Sequence, residues 1–237
     1  MSKHMKRLTA PRTWLVPRKT HHWITKPSPG PHPIEESVPL VVVLRDMLHH
    51  CDTAQEAKQI IGERSILADG RIVTDPKFPL GLMDILSIPK TKEHFRVVKD
   101  RRGRIVLMRI DPDEARWKLV RVENKKVVPG GKVQLNLHDG RNILVDRSDH
   151  KTGDVLKIEL PSQKILASFT QAAGSLALLT GGSHVGEMAT VAGIEEKKNP
   201  MPNLVKFKEG FSTIKPYVFV IGITTPEIKL PQLEAVK

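Results

Sequence analysis

The sequence predicts an α+β chain of several small domains, and three observations carry that expectation. A helix-period apolar stripe is confined to residues 38–63. Beyond it, short alternating runs separated by Asp-Gly and Gly-Gly turns read as strands. Three Trp, one Tyr and six Phe spread over 237 residues are too few for one large aromatic core.

The N-terminal segment is the least typical part. Its first 34 residues hold seven cations (Lys3, Lys6, Arg7, Arg12, Arg18, Lys19 and Lys26) and no carboxylate. Trp14 and Trp23 stand among these charges, with four histidines and six prolines. So little contiguous apolar surface predicts a segment that does not order itself. A partner attracting cations and flat rings together is most simply RNA, whose phosphates take Arg and Lys and whose bases stack on indole and imidazole. A solvated basic tail is the alternative. Of the net charge of +12, this arm supplies more than half, which marks it as the concentrated electrostatic footprint.

Residues 38–63 read as a helix pair. Leu40, Leu44, Met47 and Leu48 fall on one face, and Ala54, Ala57, Ile60 and Ile61 continue the stripe to Gly62. Asp52 or Thr53 is placed as N-cap, with Glu56 completing a capping box. Asp69-Gly70 then predicts a hairpin between Ser65–Ala68 and Arg71–Thr74. Five strands follow, at 105–110, 117–123, 132–137, 142–145 and 154–160, and suggest a small β-domain. Asp69-Gly70-Arg71 with Asp84 recurs seventy positions later as Asp139-Gly140-Arg141 with Asp154. Duplication and shared hairpin chemistry both account for that echo. The last strands, at 176–180, 188–194, 204–207 and 217–223, are separated by glycine bends and suit a compact barrel of about fifty residues. The remainder, 224–237, reads as an extended tail.

Several functions are disfavoured. Cys51 is the single cysteine, so no internal disulfide or cysteine-based zinc site can form. The longest apolar run, Val38 to Leu44, is too short to span a bilayer, and no apolar stretch follows the basic N-terminus as in a signal peptide. His49-His50-Cys51 places ligand types side by side, but adjacent helix residues diverge by about 100° and converge poorly on a metal. Gly181-Gly182 lacks the Gly-Lys-Ser/Thr of a phosphate-binding loop. We expect no catalytic residues, metal or cofactor.

Residue order adds what composition cannot. His4-Met5-Lys6-Arg7-Leu8-Thr9-Ala10-Pro11-Arg12-Thr13-Trp14 resembles the signature of the four-e family of archaeal and eukaryotic small-subunit ribosomal proteins, and Trp14-Leu15-Val16-Pro17-Arg18 continues it. Residues 38–100 resemble the α-L type RNA-binding domain, with Asp69-Gly70 and Asp84 at its hallmark places. Arg45, Lys58, Arg64 and Arg71 fall where such domains present cations to phosphate. Leu178 to Gly186 resembles the KOW motif of SH3-like barrels, with Gly182 and Gly186 as its loop glycines. Val185 stands where a lysine is common and Ala189 replaces a later glycine, so the loop lacks its usual charge.

The resemblance implies five segments: a basic extension (1–37), the α-L domain (38–100), a central β-domain (101–172), a KOW-type SH3-like barrel (173–223) and a tail (224–237). It implies an archaeal-type cytoplasmic ribosomal protein that binds small-subunit ribosomal RNA beside neighbouring ribosomal proteins, without catalysis, membrane insertion or homo-oligomers. Lys3, Lys6, Arg7, Arg12, Arg18, Lys19 and Lys26 are the expected phosphate contacts, and Trp14 and Trp23 the expected stacking or anchoring rings. A free KOW-class translation or transcription factor is the competing reading.

Overall fold

The computed structural model describes residues 4–146 and 148–230. Most of its regular structure is strand, and the chain divides into two compact units, one of residues 1–98 and 104–118, the other of 99–103 and 119–237.

In the first unit, Leu40–Val42 forms an α-turn that widens into a π-turn over Val43–Met47. The Leu48 N–H bonds to the Val43 carbonyl at 2.9 Å and so closes the wider ring. A helix follows at Ala54–Gly62. Thr53 is its N-cap: the hydroxyl accepts from the Glu56 N–H, and the Glu56 carboxylate reaches back to the Asp52 and Thr53 N–H groups. Those backbone bonds hold the Glu56 carboxyl below its ordinary range. The helices pack on a five-stranded sheet ordered 71–72, 67–68, 85–88, 93–99 and 105–109. At its first hairpin both Asp69 and Gly70 have positive φ, as a two-residue primed turn requires. The expected strand at 105–110 therefore belongs to this sheet and not to the central one.

The arm is part of this core. Met5–Lys6 pairs antiparallel with Trp23–Ile24. Ala10, Trp14 and Ile24 are buried in one apolar cluster with Val38, Leu40, Val42 and Leu44. The arm still has no core of its own; the scaffold that orders it is the body, where the sequence pointed to RNA. Three apolar residues scattered over fifteen positions suffice when the body offers a seat for each.

The second unit holds two five-stranded sheets. One is ordered 142–145, 133–137, 117–127, 155–159 and 165–169, around Val120, Val122, Leu135, Leu156 and Ile158. The other is ordered 212–214, 204–207, 188–195, 176–179 and 218–222, around Ala177, Leu179, Val191, Val205 and Val218. The strand Met188–Glu195 pairs through residues 188–190 with 176–178 and through 191–195 with 204–207, where its register shifts between Val191 and Gly193. Bulges bend a strand in this way and let a small sheet curl. The expected extended tail is tied down at its start: Ile228 is buried and Glu227 pairs with Lys157 at 2.8 Å. Residues 231–237 lie outside the described residues.

The seventy-residue echo recurs in hydrogen bonds. Asp84 accepts the N–H of Gly81, and Asp154 that of Lys151, each three residues upstream. Met83 donates to the Val97 carbonyl while Val97 donates to that of Asp84; Gly153 and Val122 repeat this exchange around Asp154. The same strand-opening turn is built twice.

Candidate nucleic-acid interface

Where the arm crosses the helix pair, a surface cleft of about 300 Å³ opens. Trp23, His4 and Lys26 of the arm stand on one side; Arg45, Lys58 and Lys77 come from the π-turn, the helix and the Asp75-Pro76-Lys77 loop. Four cations and no carboxylate line it among the described residues. Trp23 is 56% exposed, although it lies in a strand. His22 packs edge-on against its ring at 4.5 Å between centroids, and His4 lies tilted at 5.8 Å. The indole is thus propped in place with much of its surface open. A second cavity of about 830 Å³ adjoins along the Pro27–Ile34 loop and shares Lys26 and Lys77 with the first.

The other expected contacts separate by burial. Lys6, Arg12, Lys19, Arg64 and Arg71 are exposed. Arg64 has a left-handed backbone just past the helix, and Arg71 follows the Asp69-Gly70 turn. Arg18 is half-buried, its guanidinium hydrogen-bonded to the carbonyls of Ala10 and Pro11 at 2.8 Å each, so it fastens the arm's own loop. Arg7 is only 2% exposed, with Nε donating to the Pro17 carbonyl and Nη2 paired with Asp46 at 3.2 Å. An outside phosphate cannot reach it in this arrangement. Trp14 is buried as well, and its Nε1 donates to the Ser37 carbonyl at 2.7 Å. Arg45 turns Nε and Nη2 to Asp46. Lys3 lies outside the described residues. Glu63, whose charge would oppose RNA, is paired with Lys90.

Sequence reasoning missed Lys77, because nothing local distinguishes a lysine in a turn until the fold sets it beside Trp23. It also missed a buried ionic cluster beneath the sheet. Lys118 is fully buried and donates to Asp69 at 2.7 Å and Asp84 at 3.1 Å. His32 Nε2 lies 2.9 Å from the other Asp84 oxygen. Burial by itself would raise the Asp84 carboxyl; the Lys118 ammonium, His32 and the Gly81 N–H reverse this and hold it well below the usual carboxylate range. Alternation carried the signal: Lys118 shares a strand face with buried Val120 and Val122. Nearby, Arg96 is buried 4.5 Å over the Trp117 ring, and burial lowers its pKa to about 10.

In the second unit, the glycines of the expected KOW-type loop have distinct roles. A Cβ on Gly182 (φ +85) would make ordinary contacts with Thr213 and Tyr217 at 3.6–3.7 Å, whereas one on Gly186 (φ +76) would fall 2.2 Å from the Asp100 carbonyl oxygen. His184 stacks on Phe211 at 4.1 Å between centroids. Among the described residues no cluster of three or more His, Cys, Asp or Glu could hold a metal, and no helix is long and apolar enough to cross a membrane.

A mostly β chain with a short helix pair and a cation-lined cleft beside an exposed indole defines a nucleic-acid-binding protein of the S4-domain class; the S4 domain family model matches residues 38–86. The model described as RS4NT (NUC023) domain matches residues 1–35, and that described as Ribosomal family S4e matches residues 91–165. The small ribosomal subunit protein eS4 of Methanothermobacter thermautotrophicus is 45% identical over 233 residues, covering 97% of this chain and 96% of that protein. Its counterpart in Methanocaldococcus jannaschii is 45% identical over 240 residues, covering 96% and 97%. The crystal structure of the 30S ribosomal protein S4e from Thermoplasma acidophilum superposes with a TM-score of 0.71 at 40% identity, covering 79% of this chain and 95% of that one. The chain belongs to the S4e family of ribosomal proteins.

Proposed function

We propose that this protein is a structural constituent of the small ribosomal subunit that binds and stabilises ribosomal RNA beside neighbouring ribosomal proteins. The observation that carries this reading is end-to-end similarity to eS4 proteins, covering 97% of the chain in the Methanothermobacter case. The basic cleft is its physical counterpart. Membership in a ribosomal protein family sets the chain apart from enzymes, and its role is binding. Lys6, Arg12, Lys19, Lys26, Lys58, Arg64 and Arg71 are the cations we assign to phosphates, with Arg45 contributing its remaining edge. Arg7 and Trp14 are assigned to holding the arm on the body, and Arg18 to fastening the arm's own loop. We read the bent sheet of 176–222 as an SH3-like barrel of KOW type, supported by its register shift and the positive φ of Gly182 and Gly186. Work in the cytoplasm without homo-oligomers accords with the family's role.

Sedimentation of a native lysate at moderate and then high salt tests the reading. Stoichiometric co-migration with small subunits is expected to survive the high-salt step. Migration near the top of the gradient would instead make the chain a free RNA-binding factor.

A further inference from the structure

We infer that the cleft around Trp23 seats an unstacked base of a single-stranded RNA segment, whose phosphates then run past Lys26 and Lys77. This deepens the ribosomal RNA-binding reading and rests on it. The arm's buried apolar residues in the core are Ala10, Trp14 and Ile24, with Met5 and Val16 packed against them; Trp23 stays 56% exposed. An indole left open in a basic wall offers a flat face to a base, and stacking needs the base to be out of a helix. His22 and His4 fix the ring from two directions, so little ordering of the platform remains when a base arrives.

The charge distribution selects a strand over a lone nucleotide. Lys58 and Arg45 face the first cavity, while Lys26 and Lys77 lie at the junction with the second. One phosphate would occupy only part of that line. A continuous strand places successive phosphates along it, entering at Trp23 and leaving along the Pro27–Ile34 loop. An A-form duplex keeps its bases stacked inside and cannot present one to the indole.

The test uses the full-length protein, a short oligouridylate and an RNA duplex of equal length. Trp23→Ala is expected to weaken oligouridylate binding roughly five- to a hundredfold, the worth of one stacked base, and to change duplex binding less than about twofold. Trp23→Phe restores most of the affinity. The parent protein's tryptophan fluorescence falls on adding the oligomer, and that quench disappears in Trp23→Phe, because Trp14 is buried and Trp117 lies under Arg96. Equal affinity of Trp23→Ala and parent for the oligomer, or an equal loss on both probes, overturns the base seat. So does a parent protein that ignores oligouridylate. If Lys58→Gln with Lys77→Gln weakens both probes while Trp23→Ala weakens neither, the base seat is wrong and the ribosomal reading stands. Failure of the parent to bind either RNA and to co-migrate with subunits overturns both.

Discussion

Arg7 and Asp46, thirty-nine positions apart, meet at 3.2 Å in an ion pair whose guanidinium is almost wholly buried. A cation from the most basic stretch of the chain is thus spent on holding that stretch in place. Arg7→Ala is expected to destabilise the fold by about 2–3 kcal/mol, less than a fully buried pair because Asp46 keeps some contact with water. Arg12→Ala, at an exposed position, should leave stability within ~0.5 kcal/mol and weaken RNA binding instead. Thermal unfolding and RNA titration of both variants, read side by side, check this. Equal stability losses would mean the arm does not dock through Arg7.

Trp14 gives the arm its largest apolar anchor. Its replacement by Ala removes a buried ring and an indole hydrogen bond to Ser37, with an expected cost of ~3–5 kcal/mol. Deleting residues 1–34 should likewise lower the unfolding temperature of the remainder and expose Val38, Leu40 and Leu44. A truncated protein that melts at the parent temperature would show that the body is complete without its arm.

The Asp84–Lys118 contact makes part of the stability pH-dependent. Because the folded-state pKa of Asp84 is depressed, its contribution is fully present above the ordinary carboxylate pKa of ~4 and is lost as pH falls below it. Asp84→Asn should flatten the acid limb of a stability-against-pH curve. Lys118→Ala, which strands two buried carboxylates, should cost ~3–5 kcal/mol near neutrality. An unchanged acid limb in Asp84→Asn would assign that limb to other carboxylates.

Salt dependence isolates the cleft. Replacing Lys26, Lys58 and Lys77 together by Gln is expected to reduce the log–log salt slope of ribosomal RNA binding by ~2–3, at about 0.7–0.9 per phosphate contact. The fold should be unaffected, since none of the three side chains is buried. A slope equal to that of the parent would move the phosphate contacts elsewhere, to Arg64 and Arg71 first.

The two loop glycines differ in a measurable way. Gly182→Ala meets its positive φ and only ordinary contacts with Thr213 and Tyr217, and should cost ~1–2 kcal/mol. Gly186→Ala adds a clash with the Asp100 carbonyl and should cost clearly more, read as a lower denaturation midpoint. Equal midpoints would mean that the 100–101 backbone yields freely.

Much of this architecture is legible in the sequence wherever the signal is local. The Thr53–Glu56 capping box, the Asp69-Gly70 turn and the strand at 142–145 rest on neighbours in the chain. What escapes is set by distant partners. The strands at 93–99 and 165–169 lack a turn dipeptide to announce them, and Ile105–Arg109 joins a sheet its sequence neighbourhood does not name. The basic residues of the arm read alike in sequence, yet Arg7 is interior and Arg12 exterior. The positions of Asp46 and the Pro17 carbonyl decide between them. Trp14 and Trp23 divide in the same manner, one taken by Ser37 and the core, the other left to the cleft.

The docking of Trp14 has a kinetic side. An arm already folded onto the first unit reaches RNA as part of that unit's surface, so association does not wait for a loose chain to be captured and wound into place. The ordering entropy is met when the protein folds, and the heat-capacity change on complex formation should be that of rigid surfaces meeting. A protein assembled this way brings the cleft around Trp23 to its RNA already formed, with His22 and His4 in place against the ring.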